Sequence, residues 1–257
     1  MTGPKNEKGE TTWGGLAEEV RYWGNWVLKK VKAEIGDLYP LIPDTKFKRK
    51  KTALQTYWFN KNATDDVPLG YLMPVAYLWT RIVTCKNPNC AATVPLLKHT
   101  WLCKSKDRFV ALKLLPSRSN KSLAYNVIEA MTEKGLGFDP ELGSEGGSAA
   151  CPFCSAVADA GYVQSEGVKK RIGSQLIAIV CTRENANGKV YLSVDDLPPG
   201  LAFDLDDIRC RLADVCTRSG ISVPSEPIGT VRPSSNARGL SAVTRHGFTL
   251  FGELFAP

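Results

Sequence analysis

Two pairs of cysteines carry the chemistry this sequence offers: Cys85-Lys-Asn-Pro-Asn-Cys90 and Cys151-Pro-Phe-Cys154. A thiolate is a soft, charged ligand, and a tight turn can present two of them to one ion. Two such turns complete a tetrahedral shell around Zn2+. Sixty residues separate the pairs, so the intervening chain must fold back on itself to bring them together. That segment reads as β-hairpins, and the object expected is a zinc ribbon with a long insertion. The C-x2-C half is a common knuckle and the C-x4-C half a looser signal; the competing reading is four unrelated thiols. Four sulfurs leave no open coordination position, so a metal bound by Cys85, Cys90, Cys151 and Cys154 would be structural. Its binding would contribute on the order of 10 kcal/mol to folding.

Other chemistries find little support. There are two histidines, His99 and His246, and neither sits in an H-x-E or H-E-x-x-H context. A catalytic zinc of the deaminase or protease kind therefore has no ligand set. His99 is expected on a strand with Trp101 and Cys103, as a packed histidine or, less simply, a substitute ligand. No G-x-S-x-G, Walker loop or dinucleotide fingerprint occurs. The tract Gly143-Ser-Glu-Gly-Gly-Ser148 follows a Pro-containing loop and opens a cysteine knuckle, so it reads as a flexible lead-in rather than a phosphate cradle. Asp195-Asp196 and Asp206-Asp207 are placed beside a turn and in a helix first turn, where structural roles suffice.

The elements that must position the cysteines can be read in order. Met1 to Thr12 is charged and aperiodic, which predicts a disordered tail. From Trp13 a helix is expected. Leu16, Val20, Trp23, Val27 and Val31 line one face, and Gly36 and Pro40 end it. That apolar face must pack on a core, here or in a partner. Lys46-Phe-Lys-Arg-Lys-Lys51 followed by Tyr57-Trp-Phe59 has the composition of a phosphate-contacting loop beside stacking groups, or of a solvated linker before a buried strand. Strands are expected over 75–83, running directly into Cys85, then 94–103, 108–115 and 123–131. Lys104 to Asp107 makes a polar hairpin turn. A further hairpin spans 174–182 and 190–194, preceded by Lys169, Lys170 and Arg171. Gly173 there permits close backbone approach. A helix over 204–218 would bury Leu205, Ile208, Leu212 and Val215, with Gly220 just past its end. Cys103, Cys181, Cys210 and Cys216 read as ordinary buried or half-buried thiols.

The fold class implied is α+β: a zinc-ribbon-like antiparallel β domain with a long N-terminal helix and a short C-terminal helix. The expected organisation is a tail over 1–12, a helical and basic region over 13–74, the β domain over 75–200, and a helix, linker and amphipathic end over 201–257. No apolar run approaches the roughly 20 residues of a membrane span. The polar start lacks a signal-peptide core, so a cytoplasmic, reducing setting is expected, in which metal explains paired cysteines better than disulfides do. A net charge of +7 leans toward a polyanionic partner, though many cytoplasmic proteins are mildly basic. Lys46, Lys48, Arg49, Lys50, Lys51, Lys169, Lys170 and Arg171 are the candidate phosphate contacts.

An ordered set of short motifs adds a resemblance. It comprises Gly15-Leu-Ala-Glu-Glu-Val-Arg-Tyr-Trp-Gly-Asn-Trp26, Ile35-Gly-Asp-Leu-Tyr-Pro40, Ala76-Tyr-Leu-Trp-Thr-Arg81, both cysteine pairs with Val94-Pro-Leu-Leu97, Tyr162-Val-Gln-Ser-Glu-Gly167, Arg171-Ile-Gly173 and the stretch from Gly247 to Pro257. Together they resemble the central part of the adenine-specific DNA methylases that carry a zinc ribbon, a group found in restriction and host-defence settings. The resemblance implies DNA as a partner and a ribbon inserted in a Rossmann-like methyltransferase. In that family an upstream D-P-x-A-G-G-G loop binds S-adenosylmethionine, and a downstream N-P-P-Y motif holds the flipped adenine. Neither motif occurs in this sequence. No catalytic residue is therefore carried over, and the chain would act as a fragment, a remnant or one portion of a separately encoded enzyme. S-adenosylmethionine would belong only to the completed enzyme. The alternative is a freestanding zinc-ribbon module that binds nucleic acid or a protein partner without methylation. One departure stands out: such knuckles place Gly after the second cysteine, whereas Ala91 and Ser155 stand there in this chain.

Overall fold

The computed structural model describes residues 16–46, 70–141, 143, 146–183, 188–197, 205–230 and 240–255. The candidate contacts Lys48, Arg49, Lys50 and Lys51, the aromatic trio at 57–59 and the N-terminal tail lie outside these residues. The chain divides into two compact units, Met1–Met73 and Pro74–Pro257.

In the first unit, helix α1 spans Leu16–Ile35, with Glu18 and Glu19 in its first turn and Lys32 in its last. That polarity complements the helix dipole. A 3-10 turn over Gly36–Leu38 ends the helix where Gly36 breaks the pattern. None of its residues is buried, and Leu16, Val20, Val27 and Val31 are all exposed. The apolar face expected to sit on a core is thus open to solvent in this structure. Trp23 packs edge-on against Tyr22 and Trp26, with Lys30 Nζ 5.6 Å from the Trp26 ring. A two-residue strand, β1 (Ile42–Pro43), pairs antiparallel with the start of β2 (Tyr71–Thr84), Ile42 lying opposite Leu72.

The second unit is built on two main antiparallel sheets and a separate two-stranded hairpin. In the larger, β2 neighbours β9 (Gly173–Arg183), β9 pairs with β10 (Lys189–Ser193), and β3 (Thr93–Pro95) pairs with the end of β2. Residues 177–181 of β9 are all buried, as suits a strand covered on both faces. The smaller sheet is a meander of β4 (Trp101–Ser105), β5 (Arg108–Ser117) and β6 (Ser122–Ala130). Leu112, Leu123 and Tyr125 from this sheet pack with Ile177 and Ala178 from the other, closing one hydrophobic core between them. Gly173 does make a close approach. A β-carbon there would lie 2.9 Å from Ile82 Cγ1 on β2.

Four expectations need correction. The strand expected over 94–103 is two strands in two sheets, β3 and β4, because Val94 and Pro95 finish a hairpin with β2 before the chain crosses over. His99 therefore lies in the exposed crossover and not on a packed strand face. Helix α3 (Leu205–Ser219) forms, and Gly220 ends it at φ 67°, yet Leu212 is 47% exposed and no residue described on α3 is buried. Cys210 on that helix is exposed, so it is not the buried thiol expected. Among the described residues no helix is long and apolar enough to cross a membrane. Mixed α+β architecture, antiparallel sheets and a long N-terminal helix are all present.

Candidate metal centre

Each cysteine pair sits at the tip of its own two-stranded hairpin. The first joins β2 to β3, with Thr84 opposite Thr93 and the Cys85 N–H donating to the Ala92 carbonyl at 2.8 Å. The second joins β7 (Ala149–Ala150) to β8 (Val157–Ala158), with Ala150 opposite Val157 and the Cys151 N–H donating to the Ala156 carbonyl at 2.9 Å. The two hairpins use the same closure. Inside the first turn the N–H groups of Cys90 and Ala91 both reach the Asn87 carbonyl; inside the second, the Ser155 N–H reaches the Cys151 carbonyl.

These turns require one residue each in the left-handed region, and the structure puts Ala91 at φ 49° and Ser155 at φ 60°. They are the two positions where glycine would be expected. A side chain there costs roughly 1–2 kcal/mol, so the hairpins must be held from elsewhere. Changing Ala91 or Ser155 to Gly is expected to stabilise the metal-loaded protein by about 0.5 kcal/mol per site, since the relief of strain exceeds the extra freedom glycine has when unfolded. A denaturant titration in excess zinc reads this; a loss of stability at both sites would contradict the strain.

The four sulfurs converge. All four Sγ atoms lie within 4.8 Å of one another, with Cys85 to Cys154 at 3.6 Å and Cys90 to Cys151 at 3.8 Å. A tetrahedron with Zn–S bonds of about 2.3 Å has edges of about 3.8 Å, so the spacing fits one ion. Both of these edges run between the knuckles. Cys85, Cys90 and Cys151 are buried and Cys154 is exposed. The pocket beneath is apolar: Val83, Ala92, Val94, Ala149, Ala158 and Val163 surround the sulfurs. Phe153, inside the second knuckle, packs against this cluster and also against the core between the two sheets, pinning one to the other.

Backbone N–H groups point at the sulfurs, as a thiolate site needs. Burial pushes the Cys85 thiol up to about 12, against a hydrogen bond from the Asn87 N–H. The Ala92 N–H favours the Cys90 thiolate, but burial and the neighbouring sulfurs leave that thiol raised. At Cys154 the Ala156 N–H outweighs desolvation, the other thiols donate to it, and its value falls to about 7. Four thiolates around a divalent cation carry a net charge of −2. Lys121 Nζ stands beside the first knuckle, donating to the Cys90 carbonyl at 2.7 Å, while Lys86 in that turn is already paired with Asp159 at 2.6 Å. Among the described residues this is the one group of three or more His, Cys, Asp or Glu side chains placed to share an ion. His99 is not part of it.

No protein-family model, curated protein or solved structure matches the chain. What the centre can do therefore rests on its own chemistry: an all-sulfur, closed donor set that can hold a metal ion such as zinc.

The helix that follows the second knuckle was not anticipated. α2 (Ala160–Val168) is capped by Asp159, whose Oδ1 accepts from the Tyr162 N–H at 2.9 Å. Asp159 just before the Tyr162–Gly167 stretch was the available signal; Gly161 and Gly167 within nine residues obscured it. The helix ends with the Lys170 N–H bonded to the Gly167 carbonyl and the Arg171 N–H to the Glu166 carbonyl, while Lys170 turns left-handed at φ 57°. This is the Schellman arrangement, with Lys where Gly is usual.

The basic residues beyond α2 all face carboxylates. Arg171 forks onto the buried Glu166 at 2.7 and 2.5 Å, Lys169 lies 3.9 Å from the same carboxylate, and Lys170 pairs with Glu253 at 2.6 Å. Arg171 holds the Glu166 carboxyl below its usual range, and Lys170 holds Glu253 down to about 2. A phosphate would have to compete with these partners. Lys46 is exposed, its N–H donating to Asp44 at 3.1 Å.

Proposed function

We propose that Cys85, Cys90, Cys151 and Cys154 hold one structural Zn2+ in a zinc ribbon, and that this ribbon is a segment of an adenine-specific DNA methyltransferase of restriction or defence type. The observation that carries the metal reading is the closure of four sulfurs within 4.8 Å from two matching hairpin tips. Zinc is favoured over harder ions because every donor is sulfur, and a structural over a catalytic role because no coordination position is left for water. The methylase reading rests on the ordered motifs around the cysteines, from Gly15 to Pro257. In it the ribbon's work is to shape and engage DNA for an enzyme whose cofactor loop and N-P-P-Y motif this sequence does not contain.

A second reading is a freestanding ribbon that binds a protein. The exposed apolar face of α1 favours it, because Leu16, Val20, Val27 and Val31 form a stripe that a partner could cover.

Methyl transfer separates the two. With labelled S-adenosylmethionine and duplex DNA, this chain alone is expected to incorporate no label. Supplied with a separate polypeptide bearing D-P-x-A-G-G-G and N-P-P-Y motifs, it is expected to support incorporation into adenine, abolished by Cys85→Ser. Label transferred by the chain alone would overturn its reading as a portion that lacks the reaction motifs, and label transferred by the other polypeptide equally well without it would sink the reading of this chain as a methylase segment.

A further inference from the structure

α2 stands between the metal centre and the C-terminal segment 240–254, and it touches both. At its start it is tied to both knuckles. Asp159, five residues after Cys154, takes the Lys86 ammonium from the first knuckle at 2.6 Å. The Tyr162 hydroxyl donates at 2.9 Å to the carbonyl of Thr84, the residue before Cys85. Val163 is buried in the cluster that surrounds the sulfurs.

At its far end α2 is the seat of the C-terminal segment. Gly167 and Gly247 meet backbone to backbone. A β-carbon on Gly167 would overlap the His246 carbonyl, and one on Gly247 would overlap the Gly167 carbonyl. Lys170 then closes over the segment, donating to the Gly247 carbonyl and to Glu253 Oε1, both at 2.6 Å. The other Glu253 oxygen accepts from the N–H groups of Thr249 at 2.7 Å and Leu250 at 3.2 Å, which fixes the turn the lysine grips. Arg81 on β2 lies 4.8 Å from the Phe248 ring.

A nine-residue helix containing two glycines has little stability of its own. Its geometry is therefore set by what holds its two ends. One end depends on the knuckles staying closed, and the knuckles, strained at Ala91 and Ser155, depend on what joins their sulfurs.

We propose that the metal ion in the four-cysteine site governs docking of the 240–254 segment, with α2 transmitting its presence from the knuckles to the Gly167–Gly247 seat. This rests on the metal reading given above. Coupling of this kind is reciprocal: if the metal favours the docked segment, the docked segment favours the metal by the same factor.

Hydrogen exchange on the full chain, zinc-loaded and chelated, tests one direction. The amides of Leu250, Phe251 and Gly252 are expected to lose protection when zinc is removed, while those of β5 and β6 keep theirs. The reverse direction uses Gly247→Ala, which blocks the seat and leaves all four cysteines in place. Its zinc affinity, measured by competition with a chelating dye, is expected to fall about fivefold or more, and Lys170→Met to fall in the same direction. If chelation also exposes β5 and β6, the Gly247→Ala affinity decides. One equivalent of zinc bound with unchanged protection at 250–252, or with parental affinity in Gly247→Ala, overturns the coupling and leaves the metal site standing. No zinc uptake at all removes the site and the coupling together.

Discussion

Stripping the metal with a strong chelator is expected to remove on the order of 10 kcal/mol of folding free energy from the knuckle region. Because stability of a whole domain is of that size, the β2–β3 and β7–β8 hairpins and α2 should melt. The reason lies in the packing around the sulfurs. Cys85, Cys90 and Cys151 are buried among small apolar residues, and without an ion they are four thiols facing one another across 3.6 to 4.8 Å. Lys86 to Asp159, which links the first hairpin tip to the residue after β8, is an exposed pair and contributes little. The three-stranded sheet should outlast this loss, since Leu112, Leu123 and Tyr125 bury against Ile177 and Ala178 rather than against the sulfurs. Purified protein should carry one equivalent of zinc. Cys85→Ser, Cys90→Ser and Cys151→Ser should each lose it, and Cys154→Ser, altering the exposed ligand, should be the mildest. Cys103→Ser and Cys210→Ser serve as controls and should bind as the parent does. Circular dichroism in chelator and metal analysis of each variant measure this. Less than about half an equivalent in the parent, with an unchanged spectrum in chelator, would count against the site.

Why the centre was legible and much around it was not follows from the range of each signal. A cysteine pair on a turn is local, so both knuckles could be read from spacing alone. Their convergence across sixty residues followed because the chain between them had hairpin patterning, which β4, β5 and β6 now display. The split of the 94–103 stretch left a weak signal, the polar run Lys98-His99-Thr100 between two apolar groups, and the sheet partners reveal that Pro95 ends one hairpin and Trp101 begins another. Left-handed backbone at Lys170 was hidden for a different reason, whereas the knuckle pattern marked the places of Ala91 and Ser155. Residue type advertises that conformation only when it is glycine, and here tertiary closure imposes it on side chains that resist it. The same limit applies to charge. Lys169, Lys170 and Arg171 look in sequence like a phosphate clamp, but one of their carboxylate partners, Glu253, is over eighty residues away by chain position. The apolar stripes of α1 and α3 show the converse. Periodicity told correctly which residues share a face, and could not tell that the face would be uncovered.

Zinc affinity is expected to fall steeply as pH drops from 8 to 5, by about two to four decades per pH unit at the acidic end. Each thiol must surrender its proton to become a ligand, so the slope counts the protons released. In the metal-free site Cys85 keeps its proton up to about 12, because burial disfavours the thiolate, and Cys90 is raised as well. Both are therefore protonated throughout the range and each releases a whole proton on binding. Cys154, lowered to about 7, is half ionised near neutrality and adds a second-order bend there: above that pH it binds metal without releasing a proton, below it with one. Dye-competition titrations at several pH values read this trend. A zinc affinity that changes by less than tenfold between pH 7 and pH 5 would show that the sulfurs are not the ligands.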